Sequence, residues 1–151
     1  MPALHDYPVT VEWTGGREGN GKYTAEHSGA SLNIAVPAEF QGPGGGTNPE
    51  ELLTSAIVSC YTMTFAIIAQ NRKVPVQSLH VEATGQVEQN GPSIKYIAVT
   101  VKPHITLTSD ATDDQMKLAE DMAHKADAYC IVTNAVRNNV QITVEPRVEK
   151  A

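Results

Sequence analysis

TNPEELLTSAIVSCYTMTFAIIAQN, residues 47–71, sets the architecture of the chain. It opens with the signals of a helix N-terminus. Thr47 or Asn48 can cap, Pro49 suits the first helical position because its missing N–H has no intrahelical partner to lose, and Glu50 and Glu51 complement the positive end of the helix dipole. Leu52 to Asn71 then runs 20 residues without a charge, close to the ~20 that cross a bilayer. Seven of those 20 are polar (Thr54, Ser55, Ser59, Thr62, Thr64, Gln70 and Asn71), and the thirteen apolar ones are spread round the helix. That distribution describes a helix reaching about Gln70 and buried on most sides in a protein core, in preference to a membrane span.

Upstream, Tyr7 to Trp13 alternates Val9, Val11 and Trp13 with Thr10 and Glu12, and Ser31 to Val36 alternates through Leu32, Ile34 and Val36, so both read as half-buried strands. Gly15 to Gly21 is a turn region, Tyr23 to His27 a short strand, and Pro37 to Gly46 an irregular, glycine-rich stretch. Downstream, Gln77 to Glu88 and Ile94 to Leu107 bracket Gln89-Asn90-Gly91-Pro92, the signature of a long β-hairpin. Asp113 to Ala128 repeats Leu118, Ala119, Met122 and Ala126 near helical spacing behind a Thr112 or Asp110 cap. Ile131 to Val136 reads as a short helical turn and Val140 to Val148 as a last strand. The order β-β-β-α-β-β-α-α-β, with no long linker, predicts one α+β domain over residues 1–151 with mainly antiparallel sheet.

A chain of 151 residues can bury roughly 70% of the surface its unfolded form exposes, so it needs no disulfide staples. Seventeen acidic against eleven basic residues give a charge of −6, which disfavours nucleic acid or an anionic membrane as a partner. Aromatics at 5% leave little for stacking on bases. Met1 to Val11 has neither the basic start nor the apolar run of a secretory signal, so the expected location is the cytoplasm. In such a reducing compartment Cys60 and Cys130, if they act as a pair, act as redox chemistry.

His5, His27, His80, His104 and His124 are scattered, and neither cysteine has a second one nearby, so no metal-ligand cluster is visible. Gly42 to Thr47 precedes a helix but lacks the lysine and spacing of a phosphate-binding loop. Glu50-Glu51 and Asp113-Asp114 both sit in first helical turns, where capping explains them without catalysis. By position alone Cys60, in mid-helix, is a small core residue. Cys130 lies at a break in structure just before a helical turn, whose free N–H groups would favour a thiolate.

Taken together, Gly46-Thr47-Asn48-Pro49-Glu50-Glu51-Leu52 followed by Cys60 resembles the central signature of the OsmC/Ohr family of organic hydroperoxide reductases. The segment from Cys130 through Asn134 to Asn138 is similar to that family's second-cysteine segment, and Gly15-Gly16-Arg17-Glu18-Gly19 to the turn that presents an active-site arginine in its Ohr branch. The resemblance implies an interlocked homodimer with sheets enclosing long central helices, and a cysteine-based peroxidase with no metal, haem or other cofactor. Cys60 would be the peroxidatic cysteine, Cys130 the resolving one, Arg17 the guanidinium and Glu50 the carboxylate. The implied partners are an organic hydroperoxide, preferred over hydrogen peroxide, and a dithiol reductant such as a lipoylated protein. Apolar neighbours Ile57, Met63 and Phe65 would line the substrate pocket.

Two features depart from the family pattern. Ile131 stands where a proline usually follows the second cysteine, and Ala38, Glu39 and Phe40 occupy the place of the OsmC-branch arginine. Arg17 is then the leading arginine, with Arg72, Arg137 and Arg147 as alternatives. Two other functions fit parts of the sequence: a hot-dog-like acyl-thioester hydrolase using Glu50 as base, whose activity would survive thiol alkylation, and a thiol sensor that forms a Cys60–Cys130 disulfide without turnover.

Overall fold

Alternating side chains at the N-terminus produce three antiparallel strands, β1 (Val9–Thr14), β2 (Asn20–Ala25) and β3 (Ser31–Ile34), in the computed structural model, which describes all 151 residues. Val11, Tyr23 and Leu32 stand opposite one another across the three strands, so the alternation gathers one apolar face. That face is not covered: Val9, Val11, Trp13 and Leu32 are all exposed, Val11 at 54%. The glycine-rich stretch that follows contains a single 3-10 turn at Ala38–Phe40 and is pinned to β3 by Thr47 N–H to the Asn33 carbonyl and Ala35 N–H to the Thr47 carbonyl.

Helix α1 (Pro49–Asn71) starts where the sequence signals it. Asn48 is the cap, its Oδ1 accepting from the Glu51 N–H at 2.9 Å, while the Thr47 hydroxyl donates to the Glu51 carboxylate. Residues 1–52 and 53–151 form two compact units, and the boundary falls inside this helix, at a place where no composition change marks it.

In the second unit, α1 is followed by the hairpin β4 (Val76–Asn90) and β5 (Ser93–Leu107), turned at Gly91 with φ +61°. Val99, Val101, Ile105 and Leu107 bury one face of β5 against Ile57, Tyr61, Phe65 and Ala69 of α1 and Ala119, Met122 and Ala123 of α2 (Asp113–Lys125). The Tyr61 hydroxyl donates to the Ala123 carbonyl, tying the two helices together. Thr112 caps α2 in a capping box with Gln115, and Asp110 instead accepts from Thr108. A 3-10 turn (Ala126–Tyr129) ends α2 earlier than the sequence suggests, and α3 (Ile131–Val136) follows.

Three expectations need correction. The last strand is two segments, β6 (Gln141–Val144) and β7 (Arg147–Lys150), broken at Pro146, which has no N–H to give to a ladder. Both pair with β5 in parallel, because the helical crossover through α2 and α3 returns the chain to the end from which β5 starts. Antiparallel pairing still dominates. Finally, α1 is buried along one stripe (Ile57, Tyr61, Phe65, Ala69), not on most sides; Met63 and Ile67 are 65% and 58% exposed. The helix is long and apolar enough to cross a membrane by length and composition, yet 22% of its apolar window is buried in the chain.

Close approach of α1 to the hairpin depends on Gly85. A side chain there would run into the Thr54 hydroxyl and the Tyr96 ring, which hydrogen-bond to each other at 2.8 Å. Gly85→Val is expected to destabilise the protein by about 2 kcal/mol, read as a lower urea midpoint at constant m. An unchanged midpoint would show that the hairpin yields without cost.

Candidate functional site

Cys60 lies in the fourth turn of α1, between the buried stripe and the exposed face, and is itself partly exposed. Cys130 is fully buried, at 0%. It sits between the 3-10 turn and α3 in extended conformation (φ −80°, ψ 116°) and caps α3, its Sγ accepting from the Thr133 N–H at 3.4 Å. The surrounding bend is held by side chains. Arg137 places Nη1 on the Asp127 carboxylate at 3.1 Å and Nη2 on the Asp127 carbonyl at 2.7 Å, and Asn134 donates to the Ala128 carbonyl at 2.9 Å.

This bend brings the two free thiols, seventy residues apart in sequence, into hydrogen-bond contact. Burial pushes the Cys60 thiol up, and four hydrogen bonds overcome it: from the Cys130 thiol, the Val132 N–H, the Thr64 hydroxyl and the Ile131 N–H. The net effect holds Cys60 below the ordinary thiol range. Cys130 moves the other way, raised first by burial and then by its bond to Cys60, against hydrogen bonding from Thr133. Of the two thiols, Cys60 is therefore the one that ionises first. The sequence assigns the benefit of the α3 N-terminus to Cys130; two of its N–H groups, those of Ile131 and Val132, are instead spent on Cys60.

Treatment with iodoacetamide followed by mass spectrometry should show this asymmetry. Cys60 is expected to alkylate with a midpoint below the ~8.5 of a free thiol, its rate falling only as the pH drops through that lowered value, with Cys130 lagging throughout. Joint reaction of the two at the free-thiol midpoint would contradict the arrangement.

The remaining sequence candidates occupy several elements. Arg17, in the turn between β1 and β2, is exposed and donates to the Phe40 carbonyl at 2.7 Å. Glu50 occupies the first turn of α1, ten residues before Cys60 on the same unbroken helix. Arg137 and Arg147 are engaged with Asp127 and Glu149. Arg72 follows the last residue of α1, twelve residues beyond Cys60, a helical distance of about 18 Å. Ile57 and Phe65 belong to the core at 0% and 1% exposure, so of the three apolar neighbours expected round a pocket Met63 alone faces outward. An open groove on α1 and β4 is lined by Val58, Ser59, Thr62, Met63, Leu79 and Val81.

Thr64 and Thr133 join the site without being among the sequence candidates, although their spacing from the cysteines is a signal. Thr64 is one helical turn after Cys60, and Thr133 stands three residues after Cys130, the spacing at which a cap meets its N–H partner.

Comparison with known proteins agrees with this architecture. The family model for OsmC-like proteins matches residues 42–145, a span that includes α1 and the bend at Cys130. The uncharacterized protein YmaD of Bacillus subtilis (strain 168) is 31% identical over 147 residues, covering 97% of each chain. A Staphylococcus aureus (strain USA300) protein named organic hydroperoxide resistance protein-like is 27% identical over 149 residues, covering 97% of this chain and 98% of its own. A solved OsmC-like protein of unknown function from Vibrio cholerae shares the fold with a TM-score of 0.80 at 18% identity, over 95% of this chain and 100% of that one. By its family match, and by a relative similar over nearly its whole length, this chain belongs to the OsmC-like protein family.

Proposed function

We propose that the protein is a cysteine-based peroxidase that reduces organic hydroperoxides to alcohols and is recycled by an external dithiol. One observation carries the reading: a partly exposed Cys60, its thiol held below the ordinary range, lies against the thiol of a buried Cys130. A thiolate is the form that attacks a peroxide, and a second thiol within bonding reach is what resolves the product.

The Cys60 thiolate attacks the outer oxygen of the hydroperoxide. An S–O bond forms, the O–O bond breaks, and the alkoxide takes a proton and leaves as an alcohol, with the sulfur oxidised by two electrons to a sulfenic acid. The Cys130 thiol then condenses with it, forming the disulfide and releasing water. A dithiol returns two electrons and two protons, leaving itself as a disulfide. Arg17 serves as the cation that steadies the thiolate and binds the hydroperoxide, with its guanidinium gripped by Glu50 in a bidentate pair.

The active species in this reading is a homodimer. Support comes from two uncovered apolar surfaces, the face of β1 to β3 that carries Val11 and Leu32 and the side of α1 that carries Met63 and Ile67. A second copy would cover them in an interface of the obligate class, ~2,000 Å² or more. A cytoplasmic location fits the need for a dithiol pool.

Consumption of cumene hydroperoxide with dihydrolipoamide as donor tests the reading, with hydrogen peroxide as the comparison. Sustained turnover, faster on the organic substrate, is expected. A single equivalent consumed per chain despite excess dithiol would identify a sensor, and thioesterase activity that survives alkylation would identify a hydrolase.

A further inference from the structure

Thr133 is a polar side chain buried to 1% exposure beside Cys130. Its hydroxyl has no oxygen or nitrogen partner, and the group it meets is the Cys130 sulfur, which the Thr133 N–H also reaches at 3.4 Å. A buried hydroxyl without a conventional partner destabilises a fold, and a valine would fill nearly the same volume without that penalty. Its place in the helix does not explain the hydroxyl, because the capping function at this end of α3 belongs to Cys130.

We propose that Thr133 is a positioning residue for Cys130, its hydroxyl and N–H together orienting the Cys130 sulfur and receiving the charge that develops there when Cys130 resolves an oxidised Cys60. The inference deepens the peroxidase reading and rests on it. In the resting protein Cys130 keeps its proton because it is buried and because it donates a hydrogen bond to Cys60. Once Cys60 carries the sulfenic oxygen that acceptor is gone, and Cys130 must release its proton as its sulfur attacks. The S–S bond forms, the S–O bond breaks, and the released proton leaves with the hydroxide as water. During that step the negative charge lies on a sulfur at 0% exposure, and the donors that face it are the two of Thr133. A hydroxyl rotor can turn its proton toward the sulfur when charge appears there and away when the thiol is restored. Reduction by the dithiol makes the same demand whenever Cys130 is the leaving thiolate.

Thr133→Val and Thr133→Ser separate this role from packing. After one equivalent of hydroperoxide, Thr133→Val is expected to slow disulfide formation about tenfold, the rate equivalent of one pKa unit, with the rate of Cys60 oxidation unchanged. Thr133→Ser should restore it. In a Cys60→Ser background, where thiolate absorbance reports Cys130 alone, Thr133→Val should raise the ionisation midpoint by about one unit, and Thr133→Ser should not. The melting temperature of Thr133→Val should equal or exceed that of the wild type. Equal disulfide-formation rates and equal Cys130 midpoints for Val and Thr would overturn the proposal, as would a loss in Val that tracks lowered stability and is not rescued by Ser. Failure of the wild type to consume hydroperoxide would defeat the peroxidase reading, while the Cys130 titration still decides whether Thr133 holds that sulfur.

Discussion

Cys60→Ser is expected to bring hydroperoxide consumption down to the rate without protein, while Cys130→Ser consumes about one equivalent per chain and then stalls. The two cysteines differ in which of them holds the charge. The charged form is favoured at Cys60, by the Cys130 thiol, the Val132 and Ile131 N–H groups and the Thr64 hydroxyl. A serine hydroxyl at 60 cannot substitute, because an alcohol ionises far above any working pH and oxygen does not accept the peroxide oxygen as sulfur does. Loss of Cys130 removes one of the donors to Cys60, so the first oxidation should slow but persist. What disappears is the internal disulfide, leaving a sulfenic acid that dimedone traps by mass spectrometry. Equal steady-state rates for Cys130→Ser and the wild type would show that Cys130 resolves nothing.

Local signals were legible wherever a short stretch of chain decides the outcome. The start of α1 is written in Thr47 or Asn48, Pro49 and the two glutamates, the cap of α2 in the pair of candidates Thr112 and Asp110, of which Thr112 serves, and the hairpin turn in Asn90 and Gly91. Effects that depend on distant parts of the chain were harder to read. Parallel pairing of β6 and β7 with β5 follows from the crossover and not from any residue in those strands. Thirteen apolar residues spread round α1 do not reveal which stripe the chain covers, so Ile57 and Phe65 could be mistaken for pocket residues. The same ambiguity hid the direction of charge between the cysteines. Which of two thiols a helix N-terminus favours depends on where a residue seventy positions away is packed, and only the fold supplies that.

A mixed dimer built from one Glu50→Gln chain and one Cys60→Ser chain is expected to recover about half of the wild-type activity, although each homodimer alone is nearly inactive. Helix geometry leads to this expectation. Glu50 and Cys60 are ten residues apart on α1, which runs unbroken from Pro49 to Asn71. That separation is a rise of ~15 Å and a rotation of about 1000°, some 80° short of three turns, so the two side chains of one helix cannot meet. If Glu50 and Cys60 serve one active site, as we propose, the carboxylate beside each Cys60 comes from a second copy whose α1 runs antiparallel to the first. The exposed Met63 and Ile67 on α1 give that second helix a surface to pack on. Under this arrangement the mixed dimer contains one site with both mutations and one with neither, and the intact site turns over. If each site instead draws both groups from a single chain, every site in the mixed dimer carries one mutation and the activity stays at the level of the parents. Co-expression with two affinity tags isolates the mixed species. Dilution supplies an independent check, since a site shared across a two-fold axis loses activity as the dimer dissociates. A monomer with full activity at nanomolar concentration would remove the partner from the mechanism.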